Sequence, residues 1–103
     1  MTKKEILTMG LFDKDTKKQE IDTETAHRLI DNAVAQRFDG ATVYEATGVY
    51  KHLNGTTVKE PSIRIEIVYA EPGAVHELAQ WLKDTFNQES IMYEAVQEEV
   101  EFI

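Results

Sequence analysis

A small group of polar residues, drawn from two separate stretches of the chain, has the chemistry to form a binding pocket. Gln88-Glu89-Ser90 follows an apolar helix pattern, while Glu60 and Ser62 lie at the start of a strand pattern. Carboxylate, amide and hydroxyl groups together can hold a small polar ligand. One interpretation is therefore a polar pocket at one end of a sheet. The other, which we favour at this stage, is capping of backbone groups at a helix-to-strand turn.

Two tyrosines and an arginine extend this candidate pocket. Tyr44 and Tyr50 lie in a β-rich segment, and Arg64 lies in the strand that follows it. The tyrosines either line a ligand pocket on an open sheet face or pack as cross-strand pairs. The candidate pocket residues are Tyr44, Tyr50, Glu60, Arg64, Gln88 and Glu89.

Other kinds of reactive site find little support. His27, His52 and His76 are isolated from one another, and no carboxylate lies beside them at a persuasive metal-ligand spacing. We expect His27 and His76 on solvent-facing sides of their helices. The chain has no cysteine, which excludes disulfides, thiolate zinc sites and cysteine nucleophiles. No catalytic residue, metal or cofactor is predicted.

The charge pattern predicts a basic partner rather than nucleic acid. The net charge is −8, whereas a phosphate backbone is bound by clustered lysine and arginine. No basic residue follows Lys83, although acidic residues continue to the end. The candidate partner-binding residues are Glu94, Glu98, Glu99 and Glu101. On a predicted edge strand, these charges would also discourage edge-to-edge aggregation.

One stretch organises the remaining elements. Ile63, Ile65, Ile67 and Tyr69 alternate with smaller or polar residues, which predicts a strand with one apolar face. Pro61 lacks an N–H group, so the strand is expected to begin after it. Apolar spacing predicts helices over 23–38 and 73–87. Further strands are predicted over 4–12, 41–53 and 90–102.

Two glycines bear on the hairpin between the second and third strands. Asn54-Gly55 predicts a tight type I′ turn, which needs positive φ at both central residues. Gly48, within the strand before it, suggests a bulge or a bend.

The order β-α-β-β-α-β predicts an α+β, ferredoxin-like fold as a single domain over 1–103, with a four-stranded antiparallel sheet and two helices on one face. The other face would expose apolar residues, so a homodimer through that open face is expected. Its expected members are Leu7, Met9, Val43 or Tyr44, Val68 and Val96. No apolar run reaches about 18 residues and no signal peptide is evident, so we expect a cytoplasmic protein without membrane contact.

Several short motifs resemble an uncharacterised bacterial domain family. They are Arg37-Phe38-Asp39-Gly40-Ala41-Thr42-Val43, Gly48-Val49-Tyr50, Glu60-Pro61-Ser62 and Phe86-Asn87-Gln88-Glu89-Ser90-Ile91. They match the patterns R-F-x-G-x-T-V, G-x-[WY], E-x-S and F-x-Q-E-S-[IV]. The resemblance covers about Gly10 to Phe102 and implies a fold rather than an activity. A weaker resemblance, by size and acidity alone, is to phage or plasmid anti-CRISPR inhibitors.

Two functions of different classes follow. The first is a non-enzymatic acidic protein that binds a basic protein partner, such as a CRISPR nuclease, and inhibits it. The alternative is a small-molecule-binding protein or enzyme of the dimeric α+β barrel type, with a pocket between helices and sheet. That pocket would use Tyr44, Tyr50, His52, Glu60 and Arg64. The first is favoured because the apolar helix stripes are sufficient to fill the helix–sheet space.

Overall fold

The computed structural model describes residues 2–51 and 53–103 and contains the predicted βαββαβ order. The elements are β1 Thr2–Gly10, α1 Thr23–Arg37, β2 Thr42–Lys51, β3 Thr57–Val68, α2 Ala74–Thr85 and β4 Met92–Glu98. The strands form one antiparallel sheet in the order β2-β3-β1-β4. The ferredoxin-like α+β fold is therefore confirmed, with β1 and β3 at the centre.

The apolar core lies between the sheet and the two helices. Ile63, Ile65 and Ile67 of β3 are at most 1% exposed and face the helices together with Leu7 and Met9 of β1. The helices contribute the other large buried side chains, namely Ile30, Val34, Val75, Leu78, Leu82 and the following Phe86. Side chains thus fill the space between the helices and the sheet. The ligand pocket that the alternative function would place in this space is not there among the described residues.

Both helices begin and end within three residues of their predicted limits. The Asp22 carboxylate caps α1 by accepting from the Thr25 backbone N–H at 3.1 Å. Gly73 precedes α2 with φ of 83°, a left-handed conformation that glycine adopts without a steric penalty. Neither helix in the described ranges has the length and apolar character needed to cross a membrane.

Pro61 lies inside β3, so the prediction that the strand begins after it is wrong. β3 starts at Thr57, and Pro61 is opposite Thr47 of β2. The Pro61 carbonyl accepts from the Leu11 N–H at 2.9 Å, just beyond the last β1–β3 pair. The N and carbonyl of a residue in an antiparallel strand point the same way. The missing N–H therefore faces the end of β1, and the β2–β3 pairing continues past the proline.

The β2–β3 hairpin also differs from its prediction. Pairing ends at Lys51 and Thr57, and the loop between them spans five positions. Gly55 has φ of 88°, but Asn54 does not have a positive φ, so this is not a type I′ turn. The Asn54 side chain instead accepts from the Thr56 backbone N–H at 2.9 Å. Gly48 pairs in register with Glu60, without a bulge, and a Cβ there would lie 3.2 Å from the Ser62 hydroxyl.

The open face of the sheet is polar, which corrects the reason for expecting a dimer through it. Leu7 and Met9 face the helices, because the phase of β1 is the reverse of the expected one, and Val43 packs against the core as well. Val68 and Val96, which both pair with Lys4, lie on the open face as expected. Tyr69, placed on the apolar face by alternation, follows the end of β3 with φ of 62° and is 60% exposed. A homodimer remains a prediction, but apolar surface on the open face does not support it.

Candidate functional site

A cleft of about 470 Å³ lies at the end of the sheet where β1 finishes and β4 begins. It is lined by Gly10, Phe12, Asp13, Lys14, Lys17, Tyr50, Val58, Glu60, Gln88, Glu89 and Ser90. Four of the six predicted pocket residues, Tyr50, Glu60, Gln88 and Glu89, therefore lie together here. Its volume is within the range of small-molecule sites.

Glu60 is an acidic residue of the cleft whose side chain is held in place by the backbone. Its Oε2 accepts a hydrogen bond from the Phe12 backbone N–H at 2.8 Å. The carboxylate lies directly over Gly10, where a Cβ would overlap it. Glycine at position 10 is therefore required by the close approach of this side chain. The arrangement fixes one carboxylate at the wall of the cleft.

Gln88 connects the two segments that flank the cleft. Its side chain is buried, and its Nε2 donates to the carbonyls of Phe12 at 2.8 Å and Phe86 at 3.2 Å. A buried amide that satisfies two carbonyls stabilises a fixed geometry. Gln88 thus holds together the two segments that flank the cleft, while Glu89 and Ser90 are exposed beside it.

The loop after β1 forms the opposite wall and is held by Asp13. Its Oδ1 accepts from the backbone N–H groups of Asp15 and Thr16 at 2.8 and 3.1 Å, and from Asn87 Nδ2 at 3.0 Å. These donors, the backbone groups first, lower the pKa of Asp13. The loop contributes Lys14 and Lys17 to the lining of the cleft.

The cleft consequently presents both signs of charge. Lys14 and Lys17 are exposed on one segment, and Glu60 and Glu89 belong to the others. Tyr50, at the edge, is 43% exposed and offers an aromatic ring. Such a cleft suits a ligand that has an apolar ring, a cationic group and an anionic group.

Arg64 and Tyr44 are not part of the cleft but lie in a separate network on the open sheet face. Arg64 Nε donates to the Tyr44 hydroxyl at 3.0 Å, and Arg64 Nη1 donates to Thr8 at 2.8 Å. The Tyr44 hydroxyl donates in turn to Glu66 at 2.6 Å. The hydrogen bond with Tyr44 is the main cause that raises the pKa of Arg64. This network covers the open face and explains its polar character.

The four acidic residues assigned to a partner have different surroundings. Glu94 pairs with Arg64 at 3.5 Å, and Glu98 pairs with Lys4 at 3.2 Å. Glu99 and Glu101 follow the end of β4 and are exposed. Two of the four are thus neutralised within the chain. Their role towards a basic partner stays a prediction.

The histidines do not assemble into a site. His27 is half-buried on α1, with Nε2 3.4 Å from the Glu45 carboxylate, so the expectation of a solvent face is wrong for it. His76 is exposed, and its ring lies 4.3 Å from that of Tyr93. His52 lies outside the described residues. Within the described ranges, no three histidine, aspartate or glutamate residues cluster as metal ligands.

A larger groove, of about 800 Å³, lies at the other end of the sheet. Lys4, Phe38 and Glu66 contribute to its floor, and Tyr69 and Phe102 contribute aromatic rings. Those two rings are 5.9 Å apart, and both are largely exposed. Lys4 is already paired with Glu66 and Glu98. Arg37, Asp39 and Glu71 also line this groove, so it too presents charges of both signs.

Several residues that line the cleft were absent from the predicted pocket. Gly10 ends β1 and Phe12 follows it, while Lys14 and Lys17 lie in the charged loop beyond, which has no apolar periodicity. The Asp13-x-x-Thr16 spacing, typical of a side chain that caps its own turn, was the available indication that this loop is ordered.

Comparison with solved structures finds a phage enzyme of the same fold. The chain is similar to a phage SAM lyase in complex with S-methyl-5'-thioadenosine, with a TM-score of 0.67 and 24% identity over 93% of this chain and 81% of that one. It is similar to the apo state of a phage SAM lyase with the same TM-score and identity, over 91% and 78%. No curated protein matches the sequence.

These findings correct the favoured function. A non-enzymatic acidic inhibitor is wrong, because the solved structures that share the fold are those of an enzyme. The alternative of a small-molecule protein or enzyme fits better. The anti-CRISPR resemblance is not confirmed.

The family resemblance has firmer support than either function. A family profile described as a protein of unknown function, DUF3574, matches residues 4–102, nearly the whole chain. The chain belongs to the DUF3574 family.

Proposed function

We propose that this protein is an enzyme that binds S-adenosylmethionine (SAM), or a closely related adenosine sulfonium, in the cleft and cleaves a carbon–sulfur bond. One observation carries the proposal, namely the Glu60 carboxylate held over Gly10 by the Phe12 N–H inside the cleft. The shared fold with a phage SAM lyase directs attention to this substrate class.

The groups around the cleft match the parts of such a ligand. The exposed ring of Tyr50 offers a surface on which an adenine can stack. Lys14 and Lys17 supply cations for the carboxylate of the amino-acid portion. Glu60 and Glu89 supply acceptors for ribose hydroxyls and the ammonium group.

The reaction itself constrains the role of Glu60. When the sulfonium carbon–sulfur bond breaks, its electron pair passes to sulfur, which becomes a neutral thioether. The carbon left behind then bonds to the substrate's own carboxylate oxygen, or an adjacent proton leaves and an alkene forms. Positive charge on sulfur is lost, so a carboxylate directly at sulfur would stabilise the substrate more than the transition state. We therefore assign Glu60 to orienting hydroxyl or ammonium groups.

The experiment is incubation of the purified chain with SAM, followed by chromatography for S-methyl-5'-thioadenosine. The wild type should release it, and Glu60→Gln should lower the rate by about tenfold or more, since one charged acceptor is lost. Gln keeps an oxygen for the Phe12 N–H, so the fold should persist. Glu98→Gln, at the far end of β4, is the matched control and should retain activity.

Absence of the thioether product, together with absence of SAM binding by calorimetry, would overturn the proposal. Binding without turnover would support only a small-molecule-binding protein. The accompanying product, lactone or alkene, would show which carbon chemistry occurs.

A further inference from the structure

β2 presents a long sheet edge whose outer side has no neighbouring strand among the described residues. It is ten residues long, and β3 is its only partner in the sheet order. An edge of this length offers a row of backbone N–H and carbonyl groups to another strand. Such edges are usually protected by charge or proline, but β2 contains only Glu45 and Lys51 as charged residues.

β2 and the loop after it also expose apolar side chains. Val49 is 61% exposed, and Leu53, in the loop that follows β2, is fully exposed. Val43, at the other end of β2, is only partly covered by the core. A partly covered valine near one end of the edge and an exposed valine near the other favour an occupant that repeats the same pattern in the reverse direction.

We propose that two copies of this chain pair through β2, antiparallel, about a two-fold axis at Gly48. In this register Glu45 of one copy lies opposite Lys51 of the other, and the pair occurs twice by symmetry. Val49 of each copy lies opposite Thr47 of the other, within the strand. The two four-stranded sheets become one sheet of eight strands.

The register is specified by the sequence. In the eight-stranded sheet the helices of both copies must lie on the same face. Because side chains alternate between the faces of a strand, the residue opposite a given position can change only in steps of two. A shift of one such step places Glu45 opposite Val49 or opposite Leu53, which removes both charge pairs. Only the axis at Gly48 joins the acidic residue of β2 to its lysine. The occupant is therefore a second copy, chosen by charge complementarity.

The test is the mass of the protein in solution, measured by sedimentation equilibrium for wild type and charge variants. The wild type should be a dimer. Glu45→Lys or Lys51→Glu alone should raise the dimer dissociation constant about tenfold, because two opposite-charge pairs become like-charge pairs. The double exchange, Glu45→Lys with Lys51→Glu, should restore the wild-type value at unchanged net charge.

Two controls isolate the interface. Glu20→Lys makes the same charge change in an exposed loop and should leave the dissociation constant unchanged. His27→Gln removes the contact of His27 with Glu45 within one chain and should also leave it unchanged. A monomeric wild type would overturn the proposal, as would a dimer that ignores either single exchange or a double exchange that fails to restore association.

Discussion

Replacing Gly10 with alanine tests whether the position of Glu60 matters for function. The added methyl group would overlap the Glu60 carboxylate, so the side chain must move. Gly10 does not have a positive φ, so alanine fits the backbone itself. The perturbation therefore acts on one carboxylate rather than on the fold.

The expected stability change is small because two effects oppose each other. Loss of the 2.8 Å hydrogen bond between Glu60 and the Phe12 N–H costs about 1 kcal/mol for a partly solvated group. Alanine lowers the entropy of the unfolded chain and returns about 0.4–1 kcal/mol. Unfolding free energy should thus remain within about 1 kcal/mol of wild type. A displacement of about 1 Å in a catalytic group, by contrast, can lower a rate on the order of 100-fold.

The assay compares SAM turnover with urea unfolding for Gly10→Ala and for Gly40→Ala. A Cβ at Gly40 meets nothing within 4 Å, so this variant is the matched control and should keep full activity. Gly10→Ala should lose at least about tenfold in rate while remaining folded. A folded Gly10→Ala protein with unchanged turnover would refute the assigned role of Glu60.

Three further predictions concern stability. Ile65→Ala deletes buried methylenes from a side chain that is 1% exposed and should cost about 2–5 kcal/mol by urea unfolding; a loss below about 1 kcal/mol would contradict the core assignment. The Tyr93 hydroxyl donates a 2.6 Å hydrogen bond to the buried Glu5 carboxylate, and this bond is the main cause that raises the pKa of Tyr93 to about 12. Tyr93→Phe removes the bond and should lower the unfolding free energy by about 1–3 kcal/mol in the same assay. An unchanged unfolding midpoint would show that Glu5 finds another donor. The pKa of Asp13 is lowered in the folded protein, so its contribution to the unfolding free energy is fully present above pH 3.8 and is lost as the pH falls through the lower folded value. Asn87→Ala removes one of the donors to Asp13 and should make this loss of stability in acid smaller. Identical acid unfolding curves for the variant and the wild type would contradict this prediction.

Much of the fold was predictable because local patterns and topology agree. Ile63, Ile65 and Ile67 alternate over a long strand, and Asp22 marks the start of α1. Which face of β1 is covered by the helices was harder to predict, because Ile6 on one face and Leu7 and Met9 on the other are all buried. Alternation alone cannot say which face the helices cover when both sides carry large apolar residues.

The candidate site was predictable only in part. Glu60 and the 88–90 segment were grouped from their expected place at one sheet end, and in the structure they line the same cleft. Arg64 and Tyr44 lie apart from this cleft, in the hydrogen-bond network of the open face. Lys14 and Lys17 were missed because contacts between Asp13 and Asn87, 74 positions apart, place their loop. Such long-range contacts leave little trace in local spacing.

The most direct test of the central claim is a crystal structure of the chain with S-methyl-5'-thioadenosine. We expect the nucleoside in the 470 Å³ cleft, with its ring against Tyr50 and its ribose hydroxyls at the Glu60 carboxylate. A nucleoside bound instead in the groove beside Tyr69 and Phe102, or an empty cleft at saturating ligand, would contradict it.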